Sequence, residues 1–116
     1  MTEQLQKELL QFIGTENWYK HWAGLLHYTD GVKYLADKAG AYWLVDLVAS
    51  YQHKLKGAPF QLWSIKVNDD KTAVVEMRED IGLKPLVTQR IEFTDFPLAD
   101  FEFYISNGVL MLKGEY

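Results

Sequence analysis

The chain contains no cysteine, which excludes disulfides, thiolate metal sites and a cysteine nucleophile. Proline is scarce, at three in 116 residues. No low-complexity linker or internal repeat interrupts the sequence, so a single domain over 1–116 is expected. No apolar run approaches the ~18 residues of a membrane span. The opening MTEQLQKELLQFIG mixes acids and amides among its leucines and lacks the basic start and apolar stretch of a signal peptide. These absences set the expectation of a soluble cytoplasmic protein with no membrane partner. Bases are missing altogether between Arg90 and Lys113, where Glu92, Asp95, Asp100 and Glu102 lie. Phosphate binding needs clustered lysine and arginine, so the second half argues against nucleic acid. There is also no G-x-S-x-G and no phosphate-binding glycine loop.

What is present is ordinary for a globular chain: 48% apolar residues, 24% charged and a net charge of −4. A chain of this size buries somewhat under ~70% of its unfolded surface, enough for one core. The unusual feature is the stretch from Trp18 to Trp63. It holds all four tryptophans, all three histidines and five of the seven tyrosines. Such density makes either a concentrated core or a binding surface, and composition leaves both open.

Periodicity divides the chain into a helical part (1–57) and a strand-forming part (60–113). Leu5, Leu9, Phe12 and Ile13 share one helical face, with Thr2 as a cap and Gly14 as a stop. Residues 15–28 read equally as helix, from the Trp18, Trp22 and Leu25 spacing, or as extended chain. Thr29 and Asp30 are both good N-caps for a helix buried on Val32, Leu35, Ala36 and Ala39, and Gly40 can break it. A further helix carries Trp43, Leu44, Leu47, Val48, Tyr51 and Leu55 up to Gly57 and Pro59.

The period then becomes two. Trp63, Ile65 and Val67 alternate with polar residues, as do Ala73, Val75 and Met77. Val87, Gln89, Ile91 and Phe93 form a third inward face, and Phe101, Phe103 and Ile105 a fourth. Asn107-Gly108 predicts a type I′ hairpin that pairs Ser106 with Val109, Ile105 with Leu110 and Phe103 with Leu112. The expected fold is α+β, with N-terminal helices packed on one face of a four- to five-stranded antiparallel sheet.

Each chemical motif has a plain structural counterpart. Tyr34 and Lys38 spell the Y-x-x-x-K of short-chain dehydrogenases, but the required dinucleotide fold is missing, and residues four apart on a helix simply face the same way. His21, His27, His53 and Asp30 could ligate a metal, yet H-x5-H matches no established metal helix. Trp63 on a strand could stack a base, without the basic partners that such a site needs. Ser50 and His53 lack a third member of a triad. Asp46 stands in the apolar run from Leu44 to Val48 and must face outward or find a donor. No motif calls for a cofactor or a resident metal.

The run YTDGVKYLADKAGAYWLVD (28–46), with GTENWYKHW (14–22), FQLW (60–63), FTDFPL (93–98) and NGVLML (107–112), resembles an uncharacterised family of small bacterial and phage-associated proteins. Its members often end in proline-serine-glutamate-tyrosine, whereas this chain ends Lys113-Gly114-Glu115-Tyr116. The resemblance implies a compact domain in a bacterial, plasmid or phage setting, and implies no activity.

Two functional expectations result. One is a non-catalytic module that binds a protein partner through its aromatic-rich helical half, with Trp18, Tyr19, Trp22, Tyr28 and Tyr42 as contacts. The other is a small ligand-binding protein or enzyme with a polar pocket of Tyr28, Asp30, Lys33, Tyr34 and Asp46. In the second, the amides at the start of the 30–39 helix would favour an anionic group.

Overall fold

The computed structural model describes residues 2–13 and 17–116, apart from the Thr2 side chain. The predicted Thr2 cap and Gly14 stop therefore lie outside the described residues. Helix α1 (Thr2–Leu9) buries Leu5 and Leu9. It ends earlier than the apolar spacing predicts. Gln11 N–H bonds Glu8 and Phe12 N–H bonds Leu9, so the last turn tightens to three-residue steps and stops. Phe12 still packs, 5.3 Å from the Tyr34 ring, while Ile13 faces solvent.

The described part of the ambiguous segment, from residue 17 on, forms two short strands joined by a turn. Strands β1 (Trp18–Lys20) and β2 (His27–Thr29) pair antiparallel, Trp18 opposite Thr29 and Lys20 opposite His27. The loop between them closes with His21 N–H to Leu26 O and turns at Gly24, whose φ of 72° suits glycine. The helical spacing of Trp18, Trp22 and Leu25 thus marks no helix.

Helix α2 (Asp30–Ala39) follows the sequence closely. Thr29 accepts from Val32 N–H as N-cap, and Gly40 closes the helix in the left-handed conformation. Asp30 is the first helical residue, not the cap. Helix α3 (Tyr42–Ser50) buries Leu44, Val45, Val48 and Ala49. It gives way to a 3-10 turn at Gln52–Lys54, before the predicted stop at Gly57 and Pro59.

Five further strands follow: β3 (Phe60–Val67), β4 (Ala73–Arg78), β5 (Val87–Ile91), β6 (Asp100–Ser106) and β7 (Val109–Leu112). With β1 and β2 they form one seven-stranded sheet, ordered β1-β2-β7-β6-β3-β4-β5. The expected four- to five-stranded antiparallel sheet is therefore too small. Two short strands join it through a parallel β2–β7 pair, held in part by His27 N–H to Gly108 O. The β6–β7 hairpin has the predicted register, Ser106 to Val109, Ile105 to Leu110 and Phe103 to Leu112. Asn107 and Gly108 both take positive φ there. Phe93 corrects the third-strand reading: β5 ends at Ile91 and the Phe93 ring is 70% exposed.

The apolar faces of all three helices join Trp63, Ile65, Val75, Met77, Phe103, Ile105 and Leu110 in one core cluster. Trp63 is buried, and its indole N–H donates to Gln61 Oε1 at 2.8 Å. Gln61 and Gln52 exchange amide hydrogen bonds, so the polar atoms of this core are satisfied. A buried Trp63 has no face to offer a base, which removes the stacking reading.

Candidate binding face

Two of the four tryptophans are strongly exposed: Trp18 at 61% and Trp22 at 83%. Trp22 is nevertheless held in place. Its indole N–H donates to Asp46 Oδ1 at 3.0 Å, and His21 Nε2 meets the same oxygen at 2.7 Å. The backbone N–H of Ala23 donates to His21 Nδ1. The occupied Nδ1 acceptor leaves the ring proton on Nε2, directed at Asp46. The imidazole is buried and the carboxylate is about half exposed. Asp46 thus faces outward and is paired, which accounts for a carboxylate within an apolar helix.

One turn earlier on α3, Tyr42 donates to Asp37 Oδ1 at 2.5 Å, and Lys33 donates to Asp37 Oδ2 at 3.0 Å. The predicted i, i+4 pair of Lys33 and Asp37 is therefore formed. Hydrogen bonds from Tyr42 and then Lys33 hold the Asp37 carboxyl below the usual carboxylate range. The same bond to Asp37, reinforced by burial, pushes the Tyr42 phenol up to about 12. The Lys33 ammonium also lies 5.6 Å from the centre of the Tyr19 ring, which stacks on Tyr28 at 5.7 Å. Tyr19 donates to Asp30 Oδ1 at 2.7 Å, and that bond raises its pKa. The Tyr42 and Tyr19 phenols are hydrogen-bond donors at neutral pH and are not primed as bases.

The nine residues singled out in the sequence do not converge on one pocket. Tyr19, Asp30, Lys33 and Tyr34 line an open cavity of about 280 Å³ with Phe12 and Asp37. Asp46 belongs with His21 and Trp22, and Tyr42 bridges toward the first group through Asp37. Tyr34 does have Lys38 near its ring, at 5.6 Å, but burial and a bond to Glu8 raise the phenol's pKa, opposite to the need of a dehydrogenase. Ser50 donates to the Leu47 carbonyl, a local helix-terminal bond. Among the described residues, no three histidine, aspartate or glutamate side chains gather as metal ligands.

The start of α2 is already occupied by an anion, the chain's own Glu115. This buried carboxylate accepts from Thr29 Oγ1 at 2.6 Å, Leu112 N–H at 3.0 Å and Gly31 N–H at 3.2 Å. The amides expected to receive an anionic ligand are thus taken by Glu115 and Thr29, and the Asp30 carboxylate turns to Tyr19 and Asn17. The sequence reading missed Glu115 because its partners at the start of α2, Gly31 and Thr29, lie 84 and 86 positions away. The available signal was Gly31 at the second helical position, where a Cβ would stand 2.5 Å from Glu115 Oε1.

A second aromatic group was also missed. Phe60, Tyr104 and Tyr116 meet pairwise at 5.2 to 5.4 Å on the sheet, beside the Lys113–Glu102 ion pair.

The sequence pattern of a family of unknown function, DUF6876, matches residues 3–116. The chain belongs to this family. No curated protein and no solved structure matches it. The family description names no activity, so the geometry has to carry the functional reading. No helix among the described residues is long and apolar enough to cross a membrane.

Proposed function

We propose that this protein is a non-catalytic interaction module whose contact face is centred on Trp22. The observation that supports it is an indole 83% exposed yet tethered through Asp46 to the buried His21. An aromatic fixed before binding loses little entropy when a partner covers it, which is the property of an interface hot spot. Tyr19, Tyr28 and Tyr42 extend the face, and Asp46 and Asp37 hold the polar tips of Trp22 and Tyr42, while the exposed Trp18 alternates to the other side of β1. The partner is a protein. A cytoplasmic location and a bacterial, plasmid or phage setting belong to the same proposal and rest on the sequence.

A tagged pull-down from cell lysate tests the proposal, with Trp22→Ala as the variant. An exposed side chain contributes little to folding, so this variant should keep the wild-type circular dichroism and unfold within about 0.5 kcal/mol of it. A protein captured by wild type and lost in the variant is the expected result. Capture unchanged by Trp22→Ala overturns the reading.

A second reading is favoured by the cavity of about 280 Å³, where Lys33, Asp37 and Asp30 surround the Tyr19 and Tyr34 rings. A small polar ligand would bind there, and mass spectrometry of the purified protein under non-denaturing conditions would reveal it. Loss of that ligand in Lys33→Met, with Trp22→Ala silent, would move the function to the cavity.

A further inference from the structure

Among the described residues the sheet ends on β5, whose outer edge pairs with no strand. The alternation of hydrogen bonds shows which residues face that edge. Val67 N–H bonds Ala99 O on the β6 side, and Asn68 N–H bonds Thr72 O in the turn to β4. Odd-numbered residues of β3 therefore bond toward β6, and even-numbered ones toward β4. The registers Ile65 to Val75 and Val75 to Gln89 run without a bulge. Carried across them, the alternation leaves Thr88 and Arg90 with backbone N–H and C=O at the free edge, where the Arg90 carbonyl also accepts from the Gln89 side-chain amide at 3.2 Å. Glu92 follows at a bend just past the strand, and the Thr94 N–H beyond it turns inward to Lys71 O.

Arg90 and Glu92 are exposed and form none of the ion pairs among the described residues. Charges on an edge strand usually discourage pairing. These two have opposite signs and flank Ile91, so the edge is complementary to its own antiparallel copy. We propose that β5 pairs antiparallel with β5 of a second copy of this chain, about a two-fold axis at Ile91.

In that register Arg90 of each copy stands opposite Glu92 of the other. Each such pair makes a charge contact, and straightening the bend at Glu92 lets it exchange backbone hydrogen bonds as well. Ile91 meets its own copy on the core side of the sheet. With the bend at Glu92 straightened, the exposed Phe93 comes opposite Gln89 of the other copy and beside its Ile91, covering apolar surface that is open in one chain alone. Glu92 follows the last residue of β5, so pairing lengthens the strand by one residue. A two-fold axis normal to the sheet keeps the helices of both copies on the same side. A foreign strand would not carry this mirrored order of charges. The contact is small, so the dimer is weak and concentration-dependent.

Sedimentation velocity over a range from micromolar to millimolar protein tests the proposal, with circular dichroism confirming each variant's fold. Wild type should self-associate reversibly to a dimer. Arg90→Glu and Glu92→Arg should each weaken the dimer about tenfold or more, since both place like charges opposite one another twice. The double variant Arg90→Glu/Glu92→Arg should restore it. A mixture of the two single variants should form a heterodimer tighter than either alone. Wild type that stays monomeric at millimolar concentration overturns the proposal. So does a dimer indifferent to the charge swaps but lost in Trp22→Ala, which would place self-association on the aromatic face.

Discussion

Replacing Gly31 with alanine should destabilise the protein, against the usual preference of helices for alanine over glycine. Inside a helix that preference is worth roughly 1 kcal/mol in alanine's favour. Here the new Cβ would lie 2.5 Å from Glu115 Oε1 and 2.6 Å from Leu112 Cδ1. Both are ends of flexible side chains and can move. Glu115 cannot move without giving up Thr29 Oγ1, Gly31 N–H and Leu112 N–H. Hydrogen bonds to a charged group contribute about 1.5–3 kcal/mol each, and water entering a displaced tail recovers part of this. A carboxylate at a helix N-terminus adds about 0.3–1 kcal/mol. Weakening the set should therefore cost about 2–4 kcal/mol, leaving a net loss of about 1–3 kcal/mol after the propensity gain. Equilibrium urea unfolding measures this. Glu115→Ala alone should lose about 2–4 kcal/mol. In that background Gly31→Ala should cost nothing or stabilise, a reversal that a double-mutant cycle reads as coupling. If Gly31→Ala stabilises the wild type, or Glu115→Ala costs less than about 0.5 kcal/mol, the carboxylate does not anchor the tail.

Asp46→Ala removes the shared acceptor of His21 and Trp22 and should cost about 1–3 kcal/mol, because the buried His21 N–H is left unpaired. The Trp22 indole N–H resonance should shift and exchange faster, whereas an unchanged resonance would mean the tether is absent in solution. Gln61→Ala deprives the Trp63 indole and the Gln52 amide of their partner and should lower stability by about 2–4 kcal/mol in thermal or urea unfolding. Tyr42, raised to about 12 from 10.0, keeps its proton in the folded state while the unfolded phenol loses it. Its contribution is therefore complete below pH 10 and declines as pH rises toward 12. Alkaline difference spectra of wild type against Tyr42→Phe check this, and a phenol that titrates at its ordinary value would refute the bond to Asp37. For Asp37, whose pKa is lowered, the sign is opposite: its contribution holds above the ordinary carboxylate range and falls away in acid. Asp37→Asn should flatten that acid limb of a stability–pH curve.

Local signals were legible in the sequence where one element carries its own instructions. Thr29 caps α2, Gly40 closes it and Asn107-Gly108 turns β6 into β7, because caps and tight turns are satisfied by atoms a few residues away. Alternation likewise fixed the inward faces of β3, β4 and β6. It failed at Phe93, where the strand ends before its apolar pattern does, and the helical spacing of Trp18, Trp22 and Leu25 belongs to a short strand and the turn after it. Strands as short as β1 and β2 are too brief to show a period, and only pairing with β7 defines them.

The candidate face was legible as an aromatic concentration but not as a surface. Trp22 and Trp63 are equally apolar, yet one is exposed and the other fills the core, and that choice depends on the elements brought against each. The same holds for the charges. Asp46 was recognisable as a residue needing a partner, while His21 as that partner, 25 positions away, was not. Glu115 stood in the sequence only as part of the closing Lys113-Gly114-Glu115-Tyr116, and the fold carries it to the start of α2. Sequence determined the helices, turns and alternating faces, whose energetics are local. Tertiary structure alone decided which aromatics meet solvent and which carboxylates are buried, since those depend on partners supplied by distant parts of the chain.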